Sequence, residues 1–173
     1  LAEWAWTRAI LLTEIGREAA TIVVILTSCW LFGRNLRQRF AYFFVIFAVW
    51  DIFYYIWLKV LIDWPATLMD WDILFLIPLT WASPVLAPVL VSLVMFAFAV
   101  VILGCDLRDK PIKVSIVRRF GFVITAVAIV VSFCLGGQHI TELDFQEYFY
   151  WPLFTLAIIC AIVLFVRSLT AKR

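Results

Sequence analysis

Residues 84–104 read PVLAPVLVSLVMFAFAVVILG, a run with no charge and with Ser92 as its one polar side chain. About 20 consecutive apolar residues are needed to cross the hydrocarbon core of a bilayer as a helix, so this run predicts a transmembrane span. Four more stretches on either side have the same character: 9–32, 40–62, 120–135 and 151–166. The first is the least pure, because its first half carries charges. The expected fold is an all-α integral membrane protein of about five transmembrane helices, forming a single domain over residues 1–173.

Composition agrees. The chain has 173 residues, 66% of them hydrophobic and only 15% charged, with a mean hydropathy of +1.06. A soluble domain is about 45–50% apolar and about 25% charged, so a water-covered surface cannot be built from this material. Disorder is excluded on the same ground, since disordered segments are poor in apolar and aromatic residues. A net charge of +2, with the basic residues in short groups between apolar runs, excludes nucleic acid as a partner. The lipid bilayer is the partner that composition demands.

The span ends carry readable chemistry. Ser83 followed by Pro84 suggests an N-cap and a first-turn proline for the third helix, and Pro152 after Trp151 does the same for the last. Gly33 and Gly104 suggest C-terminal stops. At the N-terminus, Leu1 is no initiator methionine, and 1–8 lacks the basic region of a signal peptide.

Orientation follows from where Lys and Arg fall. Arg34, Arg37 and Arg39 follow the first span. Arg108, Lys110, Lys113, Arg118 and Arg119 lie between the third and fourth, and Arg167, Lys172 and Arg173 close the chain. With five spans these eleven of fourteen basic residues share one side, leaving Arg8, Arg17 and Lys59 on the other. Most of the acids lie with the latter three. The partition predicts a bacterial inner-membrane protein with its N-terminus outside and its C-terminus cytoplasmic.

The connection 63–83, DWPATLMDWDILFLIPLTWAS, is too apolar for an ordinary loop. Asp70 or Asp72 could cap a short helix that Pro78 would end. Continuing one helix from residue 72 to 104 would give roughly 50 Å, too long for one span. The expectation is a short interfacial helix before the third span, with a re-entrant segment as the alternative; the latter would need protein around its broken backbone. No internal repeat occurs, and the proline-rich stretch has no counterpart elsewhere, unlike the paired broken helices of inverted-repeat transporters.

Ionisable side chains concentrate on the first two spans. Glu14 and Glu18 share a helical face with Arg17 beside them, continued by Thr21 and Ser28. Asp51, Tyr55 and Lys59 repeat at the same spacing on the second span, flanked by Tyr54. A turn near Arg37 places Glu14 level with Lys59 and Glu18 level with Tyr55, with Asp51 one to two turns deeper. A charge in hydrocarbon costs at least about 2.5–3.5 kcal/mol on insertion scales, so two polar seams should face each other. Such a seam is either an outward-opening ion route with Asp51 as its inner, proton-exchanging member, or a clasp in which Glu14 pairs with Lys59 and Arg17 with Glu18 or Asp51.

Other candidates are weaker. His139 is the single histidine, close to Glu142, Asp144 and Glu147, so a His-carboxylate metal site is conceivable but lacks diagnostic spacing. No GxSxG elbow occurs, and the Gly136, Gly137 pair is too short for a phosphate loop. Cys29, Cys105, Cys134 and Cys160 are widely spaced, which argues against a zinc site or redox dithiol and for buried small hydrophobes without a structural disulfide. Seven of nine tryptophans, including Trp57, Trp64, Trp71, Trp81 and Trp151, fall toward the outer side. They suggest an aromatic belt or a docking surface for a protein, a quinone or another flat ligand.

None of the small membrane families considered supplies a motif present here: haem-binding anchors, multidrug exporters, rhomboid-like proteases, disulfide-exchange proteins. Three functional classes stand. The first is a non-catalytic subunit or accessory of a larger membrane assembly. The second is a transporter or channel for protons or small cations using Glu14, Glu18 and Asp51. The third is a membrane metalloenzyme. The sequence names no cofactor.

Overall fold

A computed structural model describes residues 2–77, 79–138 and 149–170, with side chains from Arg8 to Gly137 (Pro78 excepted) and from Phe149 onward. Among the described residues the chain forms five helices, α1 (Ala2–Phe32), α2 (Leu36–Ile62), α3 (Leu86–Leu107), α4 (Ile116–Gln138) and α5 (Trp151–Thr170), with a two-stranded antiparallel hairpin, β1 (Trp71–Phe75) and β2 (Trp81–Pro84), between α2 and α3. Helices α2 to α5 are each long and apolar enough to cross a membrane. The protein is therefore a multi-pass integral membrane protein.

Helix boundaries follow local chemistry. Gly33 N–H closes α1 on the Cys29 carbonyl at 3.0 Å. Asn35 N-caps α2, its side chain accepting from Gln38 N–H at 3.0 Å, and satisfies one of the orphan amides of a helix start. Arg39 turns back onto the joint: its guanidinium lies 3.4 Å from the Trp30 ring centroid, and its Nε donates to Gly33 O. Pro152 sits in the first turn of α5 as expected. The third helix departs from expectation at both ends. Ser83 and Pro84 belong to β2, where the Ser83 hydroxyl donates to Pro84 O, and α3 starts at Leu86 with Pro88 in its first turn. Gly104 lies inside α3, which runs three residues past it.

The expected interfacial helix at 63–83 is replaced by the hairpin. Asp63 ends α2 in the left-handed conformation, and a turn follows across the cis Trp64–Pro65 bond. Asp70 then caps that turn, not a helix, accepting from the Thr67 hydroxyl at 2.7 Å and from Ala66 N–H at 2.7 Å. These bonds, led by the Thr67 hydroxyl, hold its carboxyl below the usual carboxylate range. The strands pair Trp71 with Pro84, Asp72 with Ser83 and Ile73 with Ala82, with an irregularity before Phe75 meets Trp81. Strand-forming aromatic and branched residues prevail over helix caps because the segment has partners on several sides.

The hairpin is sunk into the bundle. Phe75 packs on Trp50 at 6.4 Å between ring centroids, and Trp50 lies twelve residues, or about 18 Å of helix rise, before the end of α2. The helices pack as two units. Helices α1, α2 and α3 pack in series, α4 packs on α5, and the two units meet directly where Phe98 stacks on Phe165 at 4.0 Å. On the hairpin side Ala87, Phe133, Phe149 and Phe154 form the buried core, with Trp71, Trp81 and Trp151 packed against it.

A glycine pair makes this docking work. A Cβ on Gly136 would collide with the Ala82 carbonyl oxygen, and one on Gly137 with the Thr80 carbonyl oxygen. The pair is a bare helical surface against which hairpin backbone can lie, a close approach that only glycine permits.

Candidate functional site

The polar side chains of α1 and α2 do gather on one side of the bundle, but their partners are not those the seams suggested. Glu18, 6% exposed, reaches the hairpin: Leu76 N–H donates to both of its carboxylate oxygens at 3.0 Å. This answers a problem the hairpin creates. The amide following β1 has no ladder partner, and a buried unpaired N–H costs about 1–3 kcal/mol.

Tyr55, one turn before Lys59 on α2, donates its hydroxyl to Asp72 Oδ2 at 3.0 Å. Asp51, one turn the other way and 6% exposed, accepts from the Ser92 hydroxyl of α3 at 2.7 Å. Ser92 is fully buried and joins the third span to the second. Interhelical hydrogen bonds in membranes average only about 0.6 kcal/mol. The larger effect is avoided loss, since an unpartnered carboxylate here would cost several times more.

The outer part of the cluster separates into local pairs. Glu14 meets Arg17 of its own helix at 2.7 Å, both about half exposed. Lys59 meets Asp63 at 2.7 Å across the end of α2, and that hydrogen bond holds the exposed Asp63 carboxyl below its ordinary range. The expected Glu14–Lys59 clasp is therefore not formed, nor is Arg17 bound by Glu18 or Asp51. Thr21 turns its hydroxyl onto Arg17 O within α1, the usual resolution for a hydroxyl without an interhelical partner.

The expected aromatic surface divides likewise. Trp57 is 55% exposed and lines a shallow groove of about 310 Å³ with Val49, Trp50, Phe53, Tyr54 and Leu58. Trp64 lies half-buried near Tyr55. Trp71, Trp81 and Trp151 instead join the internal aromatic core, Trp81 stacked on Phe133 at 6.1 Å and Trp151 edge-on to Phe149 at 4.8 Å. These five do not form one exposed face.

His139, Glu142, Asp144 and Glu147 lie outside the described residues. Among the described residues no three His, Cys, Asp or Glu side chains gather as a metal site. All four cysteines carry free thiols: Cys29 is buried, Cys105 and Cys134 half-buried, and Cys160 exposed on α5.

The opposite end holds a pair that sequence reading passed over. Arg37 Nε lies 2.9 Å from Asp106 Oδ1, with the Asp106 side chain only 8% exposed, tying the start of α2 to the last turn of α3. Arg118 on α4 donates to Arg167 O at 2.9 Å, covering a terminal carbonyl of α5. Signals for these partners did exist: Ser92 is the lone polar residue in an uncharged run, and Asp106 is one of two acids in a strongly basic loop region.

Comparison of the chain with protein-family models, curated proteins and solved structures finds no match. Function has to be argued from this geometry.

Proposed function

We propose that this membrane protein is a non-catalytic subunit or accessory of a larger membrane assembly. The observation that carries the reading is closure of the polar cluster: Glu18, Asp51, Tyr55 and Asp72 each bond to a side chain or amide of the same chain. Groups so engaged stabilise a fold, whereas an ion route needs polar atoms left open to the passing ion. An apolar groove is left open on α2 around Trp57. Its aromatic lining is the type enriched where proteins meet.

The basic-residue partition supports insertion in a bacterial inner membrane with the N-terminus outside, α1 folding back along α2 as the fifth crossing. The turn at Arg34 and the 108–115 loop then lie in the cytoplasm and the hairpin end faces outward.

The test is purification of the full chain from its native membrane in mild detergent, with mass spectrometry of what accompanies it. Membrane proteins at reproducible, near-equimolar ratio are the expected result. A chain that purifies alone, and that in liposomes carries a proton flux abolished by Asp51→Asn, overturns the reading in favour of transport.

A further inference from the structure

The Arg37–Asp106 pair is close but badly aimed. Arg37 Nε lies 2.9 Å from Asp106 Oδ1, and the Asp106 side chain is only 8% exposed. Yet Arg37 Nε and both Asp106 carboxylate oxygens are buried with no hydrogen bond from any described residue. Buried Glu18 and Asp51, by contrast, each accept a directed bond. Asp106 has a neighbouring charge without a donor, and a buried carboxylate needs both.

Beside the pair opens a cleft of about 310 Å³, lined by Arg37, Gln38, Asp106, Asp109 and Pro111. The end of α3 brings Asp109 there. It takes the left-handed conformation, which Asp tolerates, and its N–H donates to Asp106 O at 3.1 Å. Gln38 accepts from Arg34 N–H through Oε1 at 3.1 Å, leaving its amide nitrogen as a donor. The cleft therefore offers two carboxylates as acceptors, with an amide and a guanidinium as donors. Its rims are apolar: Leu36 precedes Arg37 and Leu107 follows Asp106, and both leucines are exposed.

An occupant of single sign fits poorly. A metal ion would meet two carboxylates with a guanidinium beside them, and an inorganic anion would meet the carboxylates. A group that joins an ammonium to a phosphate answers both. The exposed leucines, at the ends of two membrane-spanning helices, stand where acyl chains run, which points to a lipid over a soluble zwitterion. Clefts between membrane helices at a charged end are where headgroups bind.

We propose that this cleft binds the headgroup of a phospholipid with a primary ammonium, of the ethanolamine class. The ammonium donates to Asp109 at the rim and to Asp106. The Arg37 guanidinium turns out to the phosphate, whose geometry its fork matches, and Gln38 donates beside it. Arg37 is one-third exposed, so the turn is a rotamer change, and it uncovers Asp106 as the new donor arrives. A choline headgroup carries the same charge but no N–H, so it cannot supply the missing bonds. The site does not depend on which assembly the chain joins.

The experiment is native mass spectrometry of the full chain, delipidated in mild detergent and titrated with dioleoyl phosphatidylethanolamine, phosphatidylcholine or phosphatidylglycerol. The ethanolamine lipid should bind about tenfold more tightly than either of the others, the factor carried by one charge-assisted hydrogen bond. Asp109→Asn, at an exposed position, should fold normally and cut that preference several-fold. Asp106→Asn keeps the shape and should remove it. Soluble glycerophosphoethanolamine, equimolar with the lipid, should not displace it. Equal binding of the ethanolamine and choline lipids by the wild-type chain overturns the site, whether or not the variants fold. So does tighter binding of phosphatidylglycerol, which marks plain attraction to the basic loops, or displacement by the soluble headgroup, which marks a soluble ligand. A preference that survives Asp106→Asn overturns it as well.

Discussion

The two ends of this bundle solve the same problem by opposite means. At the end bearing Arg37, the helices are joined by a short turn and a compact loop, and charge holds them: Arg37 on Asp106, Arg118 on the end of α5. At the other end a hairpin is seated against α3 and α4 with its backbone. The helices accommodate that backbone with one carboxylate, Glu18, which accepts from Leu76 N–H, and one bare surface, Gly136 and Gly137, against which the Ala82 and Thr80 carbonyls lie. The comparison teaches that charged residues in this chain do not share one role. Those near helix termini clamp elements directly, whereas further in Asp51 ties α2 to α3 and Glu18 serves an inserted segment.

The sharpest way to break the comparison is to close the bare surface. Gly137→Val should produce the largest effect. Overpacking a fitted site costs about 1–3 kcal/mol, and here the obstruction is a backbone carbonyl that cannot rotate away, so the top of that range or beyond is expected. Thermal melting of the purified protein should show it. Gly104→Ala is the control, because nothing stands near an added methyl there; it should be neutral or slightly stabilising, as helix propensity dictates. Equal losses from both variants would remove the special status of the glycine pair.

Next in size is the clamp at the opposite end. Removing one partner of a buried ion pair costs about 3–5 kcal/mol, and the one-third exposure of the Arg37 side chain brings Asp106→Ala toward or below the lower figure. The double variant Asp106→Leu, Arg37→Met should recover most of the loss in the same melts. Failure to recover would mean that Asp106 acts through something other than Arg37.

The smallest effect is a predicted absence. Because Glu14 and Lys59 each hold a neighbour on their own side, a double-mutant cycle of Glu14→Gln and Lys59→Met should give a coupling energy near zero, within the roughly 0.3–0.5 kcal/mol expected of independent sites. A coupling of about 1 kcal/mol or more would restore the clasp between the first two helices.

These contrasts also mark what could be read from residues alone. The apolar runs located the helices because hydrophobicity over twenty residues is a local property, and Pro152 and Gly33 marked boundaries by local stereochemistry. The polarity of Glu18, Asp51 and Tyr55 pointed to a protected seam. Their partners were not legible, since matching depths on two helices says nothing of a third element inserted beside them. The hairpin itself was hidden for the same reason. Asp70 and Asp72 are equally good as helix caps, and WDILF is a strand because it pairs with β2, whose seat on Gly136 lies far away along the chain. Gly136 and Gly137 make too short a pair for a phosphate loop, and that they leave room for hairpin backbone shows only once the hairpin is placed against α4.

The hairpin's supports also impose an order on biogenesis. Glu18 is made well before the hairpin, whereas Gly136 and Gly137 emerge roughly fifty residues after β2, about 3–10 s later at ordinary rates of synthesis. During that interval the segment has an acceptor for Leu76 but no surface for the carbonyls of Thr80 and Ala82. A newly made chain must keep this piece near the lipid headgroups until the fourth helix arrives, and any delay in that helix leaves the first three assembled around an unfilled gap.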